Sequence, residues 1–307
     1  MTTRLSFKQL RPAAVILLGC LLILFLAVPL AVNANAALDT TPKVYVPAAS
    51  GKKVLGNSKV KIDASNIDQG YLMVRYSGSK KTKLQITRKG STTYTYNLKQ
   101  GSYEAFPLSD GSGSYSINVF ENVTSNQYSL ACGETIKAEI KNSTLPFLYA
   151  NQYVNFNEKS TTVATGAKVA AGAQNQLEVV DQVYHYVIGN ISYDYQKAKT
   201  VASGYLPNVD AILKSKTGIC FDYAAVMATM LRTQGIPTKL VVGYAGNAYH
   251  AWISVYIQNI GWIDGAIYFD GKSWVRMDPT FASSAGNSSS IQQYIGDGKN
   301  YKSMYVY

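Results

Sequence analysis

Three residues far apart in the chain carry side chains that together can cleave an amide: Cys220, His250 and Asp278. A thiolate attacks a carbonyl carbon, an imidazole relays the proton, and a carboxylate fixes the imidazole tautomer and stabilises its cation. Each stands in a local pattern that suits the task. Cys220 opens a run of helical character, Ala224-Ala225-Val226-Met227-Ala228-Thr229-Met230-Leu231-Arg232, which Gly235 and Pro237 stop. That run is apolar almost all round, so the helix belongs in a core rather than on a surface. A thiol at a helix N-terminus meets the positive end of the macrodipole, which favours the reactive thiolate. His250 falls in an apolar run, Ala248 to Ile257, that reads as a buried strand. Asp278 ends another, Trp274 to Met277, just before Pro279. Neither interval between the three is local, so only a fold that lays helix and strands against one another can unite them.

The stretches Gly218-Ile219-Cys220-Phe221-Asp222-Tyr223-Ala224, Tyr249-His250-Ala251-Trp252 and Asp278-Pro279-Thr280-Phe281, in that order, resemble the bacterial transglutaminase-like family. The resemblance covers roughly 145–307 and includes Asn190-Ile191-Ser192-Tyr193-Asp194-Tyr195 and Arg232-Thr233-Gln234-Gly235-Ile236-Pro237. It implies a papain-like α+β core with a Cys-His-Asp triad at Cys220, His250 and Asp278, and a place beside the active site for the segment around Tyr193. One departure is the stretch from Gln258 to Lys272, where the family usually has a short turn. Asp264 and Asp270 in that stretch read as turn residues rather than triad members.

Residues 1–36 carry Arg4, Lys8 and Arg11 with no acid, then an apolar run from Ala13 to Val32, then Ala34-Asn35-Ala36. This is the pattern of a secretory signal peptide, and Pro29 and the small-x-small site favour cleavage near Ala36. An uncleaved anchor is the alternative, because the run is long enough to span a bilayer. In both cases the basic flank stays inside and the rest is secreted or displayed at the cell surface. Loss of the leader lowers the formal charge from +11 to +8. The remaining lysines are scattered and accompany no nucleic-acid motif, so nucleic acid is not an expected partner. A soluble basic surface or one drawn to an anionic cell envelope fits the charge. No cofactor motif and no metal-ligand cluster is visible.

Two cysteines follow the leader, Cys132 and Cys220. They make no disulfide framework, so stability must come from packed cores. A Cys132–Cys220 disulfide is the structural alternative to a catalytic thiol. Cys132, on a period-two apolar face with Tyr128 and Leu130, reads instead as a small core residue.

After a linker at 37–57, residues 58–143 alternate with period two in short runs such as Tyr71-Leu72-Met73-Val74-Arg75-Tyr76 and Tyr94-Thr95-Tyr96-Asn97-Leu98, separated by turns such as Lys89-Gly90-Ser91. Six to eight such strands predict a small all-β sandwich domain, a spacer or docking module. Composition changes at Leu145-Pro146. Helices are expected over Ala164 to Ala173, weakened by Gly166 and Gly172, and over Gln176 to Ile188, where Leu177, Val180, Tyr184, Val187 and Ile188 share a face. His185 lies beside that stripe and is the sole competitor for the base, with a surface or capping role as its default. Asp222, two residues after the thiol, suits the helix dipole better than the chemistry.

The expected fold class is therefore α+β: a papain-like, transglutaminase-like core at 145–307 preceded by a β-sandwich. The expected function is thiol-dependent acyl transfer on amide or peptide bonds, without cofactor, on a protein or peptide substrate, with one associated with the cell envelope as an option. Hydrolysis stands ahead of amine transfer, which would make isopeptide cross-links. A non-catalytic surface module on the same scaffold is the alternative from another class.

Overall fold

The computed structural model describes residues 37–264, 268–269, 274–275 and 301–307. The leader expected at 1–36, Asp270 and Asp278 lie outside the described residues.

The strand-rich N-terminal region holds β1 (Val54–Gly56), β2 (Val60–Asp63), β3 (Tyr71–Tyr76), β4 (Thr82–Arg88), β5 (Thr93–Leu98), β6 (Glu104–Pro107), β7 (Gly113–Thr124) and β8 (Gln127–Ala138). They build two antiparallel four-stranded sheets, in the orders β1-β2-β3-β6 and β5-β4-β7-β8. Alternation sorts their faces: on β5, Tyr94, Tyr96 and Leu98 are buried while Thr93, Thr95 and Asn97 are exposed. The buried faces touch across the gap between sheets. Tyr96 of β5 meets Phe106 of β6 edge-on at 4.8 Å between ring centroids, and the Tyr76 hydroxyl of β3 donates to Glu121 of β7 at 2.6 Å. Strand β3 departs from alternation, being buried at Tyr71, Leu72, Met73 and Val74 in succession. Its second face is covered as well, since Tyr71 packs on Tyr149 at 4.6 Å.

The second region contains α1 (Thr161–Ala170), α2 (Gln176–Asn190), β9 (Ser192–Tyr193), α3 (Tyr195–Thr200), α4 (Val209–Ser215), β10 (Thr217–Gly218) and α5 (Cys220–Thr233). It continues with β11 (Thr238–Ala245), β12 (Ala248–Ile257), β13 (Gly261–Ile263), β14 (Tyr268–Phe269), β15 (Trp274–Val275) and β16 (Tyr301–Val306). Strands β13-β12-β11-β16 form an antiparallel sheet, β14 pairs with β15, and β9 and β10 pair in parallel. Helix α5 packs on β11 and β12, with α1, α2 and α4 around it. Every residue from Asp222 to Thr233 is buried, as a helix apolar on all sides requires. The glycine that weakens α1 in isolation has a use here. A Cβ on Gly166 would stand 3.1 Å from the Met230 backbone, so its absence lets α1 lie close against α5.

The helix boundaries follow local chemistry. Asn175 accepts from the amides of Leu177 and Glu178 to begin α2, and Asn208 accepts from Ala211 to begin α4. At its far end α5 buries Arg232 completely. The guanidinium donates to the main-chain oxygens of Thr238 (2.8 and 2.9 Å), Tyr149 (2.7 Å) and Tyr307 (2.8 Å). Burial pulls its pKa down to about 9. One side chain thus ties the helix to β11, to the residue that follows β16 and to the segment leading out of the N-terminal region. Residues 37–50 have no regular structure but are bonded along their length, Leu38 to Ala173, Lys43 to Thr233 and Tyr45 to Ala150.

Replacing Arg232 with methionine fills similar volume but strands those main-chain oxygens. A loss of about 3 kcal/mol or more is expected, read as a lower urea midpoint. Arg232→Lys should recover only part, because an ammonium has no planar fork.

Candidate active site

Cys220 is the first residue of α5, half-buried, and the helix enters from extended backbone at Ile219. What precedes it is held twice. Strand β10 pairs with β9, Gly218 opposite Tyr193, and the Asp194 amide donates to the Gly218 oxygen at 2.9 Å. From inside the helix, the Tyr223 hydroxyl donates to the main-chain oxygen of Ile191. The segment around Tyr193 therefore does lie beside the thiol.

His250 sits on β12 opposite Gly243 of β11 and is only 6% exposed. Trp252, two residues on and on the same strand face, lies nearly parallel to the imidazole at 6.3 Å between centroids, with Tyr301 of β16 edge-on behind it. Gly243 makes this stacking possible. A Cβ there would stand 2.0 Å from the Lys302 oxygen and 2.9 Å from the Trp252 ring. The tryptophan thus fills the core beside the base.

Cys220 and His250 line one cavity of about 570 Å³. Its wall includes the aromatic rings of Tyr153, Tyr193, Tyr205, Phe221, Tyr249 and Tyr307, and 201–204 line it as well. Burial pushes the hydroxyls of Tyr153, Tyr205 and Tyr307 above the usual phenol range. Tyr249 is raised by burial first and then by the charges of Tyr305, Tyr244 and Cys220. These phenols are neutral near pH 7, so they offer hydrogen bonds and ring faces, not charge. The Asp222 and Tyr223 amides donate to the Ile219 oxygen at 2.8 and 3.1 Å, so it is the amides of Cys220 and Phe221, at the very start of α5 beside the thiol, that could meet a developing oxyanion. A somewhat larger cavity, about 640 Å³, lies elsewhere, lined by Tyr103, Glu104, Asn151 and Asn208 among others, and contains neither thiol nor imidazole.

Behind the thiol is a group of residues that sequence inspection singles out only in part. Asp222 is wholly buried. Its Oδ2 accepts from the Ile219 amide at 2.8 Å and from Lys197 Nζ at 2.6 Å, and its Oδ1 accepts from the Tyr205 hydroxyl at 2.6 Å. Lys197 Nζ also donates to the Tyr205 oxygen at 2.7 Å. Burial opposes the charge on Lys197, but its bonds to Asp222 and Tyr205 prevail and hold the ammonium above the ordinary lysine value. The first-turn role expected for Asp222 is seen directly in the bond to Ile219. Lys197 and Tyr205 were not anticipated. The available signal was Asp194, which caps α3 by accepting from the Lys197 amide at 2.8 Å.

The competing assignments resolve simply. His185 is exposed on α2, with Nδ1 3.0 Å from the Asp181 oxygen and 3.2 Å from its carboxylate, and it does not line the cavity. Cys132 is buried in the N-terminal region and both thiols are free, so the disulfide alternative fails. Asp264 is exposed after β13. Among the described residues no cluster of three or more His, Cys, Asp or Glu could hold a metal ion.

Residues 163–279 match the profile of the Transglutaminase-like superfamily, a span that contains Cys220, His250 and Asp278. Over those residues the chain is similar to a transglutaminase-like core, and as a whole it is α+β, with a strand-rich region ahead of the matched span. The uncharacterized protein YebA of Bacillus subtilis is 26% identical over 188 residues, 57% of this chain and 25% of its own. A UPF0252 protein of Methanocaldococcus jannaschii is 24% identical over 239 residues, 71% of this chain and 68% of its own. A protein-glutamine gamma-glutamyltransferase of Pseudomonas aeruginosa is 28% identical over 107 residues, 30% of this chain and 16% of its own. This chain thus spans a quarter or less of the Bacillus and Pseudomonas relatives.

The two free thiols differ in a way that can be measured. Burial pushes the Cys132 thiol up, which leaves less thiolate at neutral pH. In the folded protein, peptide-resolved iodoacetamide labelling is expected to modify Cys220 at least about tenfold faster than Cys132, and the difference should vanish in denaturant.

Proposed function

We propose that the chain is a thiol-dependent acyl-transfer enzyme acting on amide bonds of proteins or peptides, with Cys220 as nucleophile, His250 as general acid and base, and Asp278 as the partner that orients the imidazole. The observation that carries the reading is the shared cavity: a thiol on the first turn of a buried helix and a buried imidazole line the same pocket. The roles follow from elementary chemistry. The Cys220 sulfur adds to the amide carbonyl carbon after its proton passes to His250. As the C–N bond breaks, the imidazolium returns that proton to the departing amine or ammonia, leaving a thioester. Water, deprotonated by His250, then attacks; a C–O bond forms, the C–S bond breaks, and the sulfur regains its proton.

Water as acceptor gives hydrolysis or deamidation, and this is the reading placed first. An amine acceptor gives an isopeptide cross-link, and the name of the Pseudomonas relative, protein-glutamine gamma-glutamyltransferase, favours keeping it as the second. The neutral aromatic wall suits an uncharged amide side chain and the apolar groups beside it. The leader pattern supports a place of action outside the cytoplasmic membrane, secreted or at the cell surface.

The test incubates wild type, Cys220→Ala and His250→Ala with a glutamine-rich protein and a fluorescent amine, scoring amine incorporation, ammonia release and new peptide ends in parallel. Both substitutions are expected to lower every product by at least about a thousandfold. Activity that survives Cys220→Ala rejects the mechanism.

A further inference from the structure

A fully buried carboxylate two residues from a nucleophilic thiol demands a reason. Capping a helix does not need it, because an exposed Asp, Ser or Asn does the same at no desolvation cost. Burying an ion costs several kcal/mol unless partners offset it. Asp222 also shares the first turn of α5 with Cys220, and a like charge near a thiol opposes its ionisation. The chain answers with a cation brought from another element. Lys197 of α3 reaches Asp222 at 2.6 Å, and both bind Tyr205, whose ring also lies 4.3 Å beneath the ammonium. Ala198 and 201–205, which follow Lys197 in sequence, are cavity wall.

We propose that Lys197 is a positioning residue for Cys220: it neutralises Asp222, so that the thiolate forms without an opposing buried charge, and with Tyr205 it pins the 198–205 wall to the first turn of α5. This deepens the acyl-transfer reading and rests on Cys220 being the nucleophile. The groups that face the thiol from the surrounding described elements are few. His250 and Tyr249 come from β12, Tyr193 from β9, Tyr153 from the segment before α1, Tyr205 from the wall, and Tyr307 follows β16. The tyrosines carry no charge near pH 7, which leaves His250, Asp222 and Lys197, with Asp194 engaged at the start of α3. Of these, the Asp222–Lys197 pair is the one whose net charge a substitution can switch in either direction.

The experiment follows the pH dependence of Cys220 alkylation by iodoacetamide, resolved by peptide mass, in the full-length protein. Asp222→Asn removes the anion and leaves the cation; the midpoint for Cys220 is expected to fall by about one pH unit. Lys197→Met leaves the anion alone; the midpoint is expected to rise by a similar amount and kcat to fall, while Lys197→Arg restores both. The double substitution Asp222→Asn with Lys197→Met should return the midpoint close to wild type. Where Lys197→Met does not fold, Asp222→Asn decides, because a merely structural clamp predicts no downward shift. An unchanged or raised midpoint in Asp222→Asn, or a wild-type midpoint in folded Lys197→Met, overturns the proposal. The alkylation readout needs no substrate. If His250→Ala leaves the wild-type midpoint untouched, it is the acyl-transfer reading that fails, whatever Asp222→Asn does.

Discussion

Helix α5 has no solvent-facing side beyond its first turn, and that burial constrains everything around it. A helix apolar on all faces is stable only if every face finds a partner, and here β11 and β12 cover one side while α1, α2 and α4 take the others. Its position is fixed by packing at both ends of the scale, from the close approach at Gly166 to the forked bonds of Arg232. Because the helix cannot shift, the thiol on its first residue cannot either. A nucleophile gains from being held where the substrate will lie, and rigid elements hold it better than loops.

The same burial creates an electrostatic problem at the helix start and supplies its solution. Cys220 stands at the positive end of the helix, and Asp222 satisfies an otherwise orphaned amide at Ile219. An isolated carboxylate in that position would be an uncompensated buried charge. Lys197 and Tyr205 convert it into a closed hydrogen-bonded group, in which each polar atom brought out of water has a partner from another segment. Chemistry at the sulfur and order in the cavity wall are therefore linked through one buried ion pair.

The strand-rich N-terminal region is bound into this arrangement by aromatic rings. Tyr94 and Tyr96 of β5 pack on Tyr307, which also meets Tyr153, and Tyr153 in turn packs on Phe221 next to the thiol. Rings of this size bury much apolar area and hold preferred relative angles, so the contacts are directional as well as adhesive. The tyrosines on the buried face of that alternating strand are thus part of one continuous core with the second region.

What the amino-acid sequence alone determined were the features written in local pattern. The alternation of Tyr94, Tyr96 and Leu98, the apolar run after Cys220 and the run around His250 each specify their element without reference to anything distant, and β12 spans the expected Ala248–Ile257. Cys220 and His250 were legible for the same reason, as reactive residues set in unmistakable apolar contexts, and their meeting in one cavity is what such contexts require. Helices α3 and α4 were not legible, being a turn or two long and lacking an apolar stripe; their caps, Asp194 and Asn208, speak only once the chain is folded. Lys197 and Tyr205 resemble ordinary surface residues until Asp222 is brought to them, and Arg232 resembles a solvent-facing helix end until three main-chain oxygens surround it. Local pattern records the affinity of each segment for water; which charge ends beside which depends on long-range packing, and only the tertiary structure decides that.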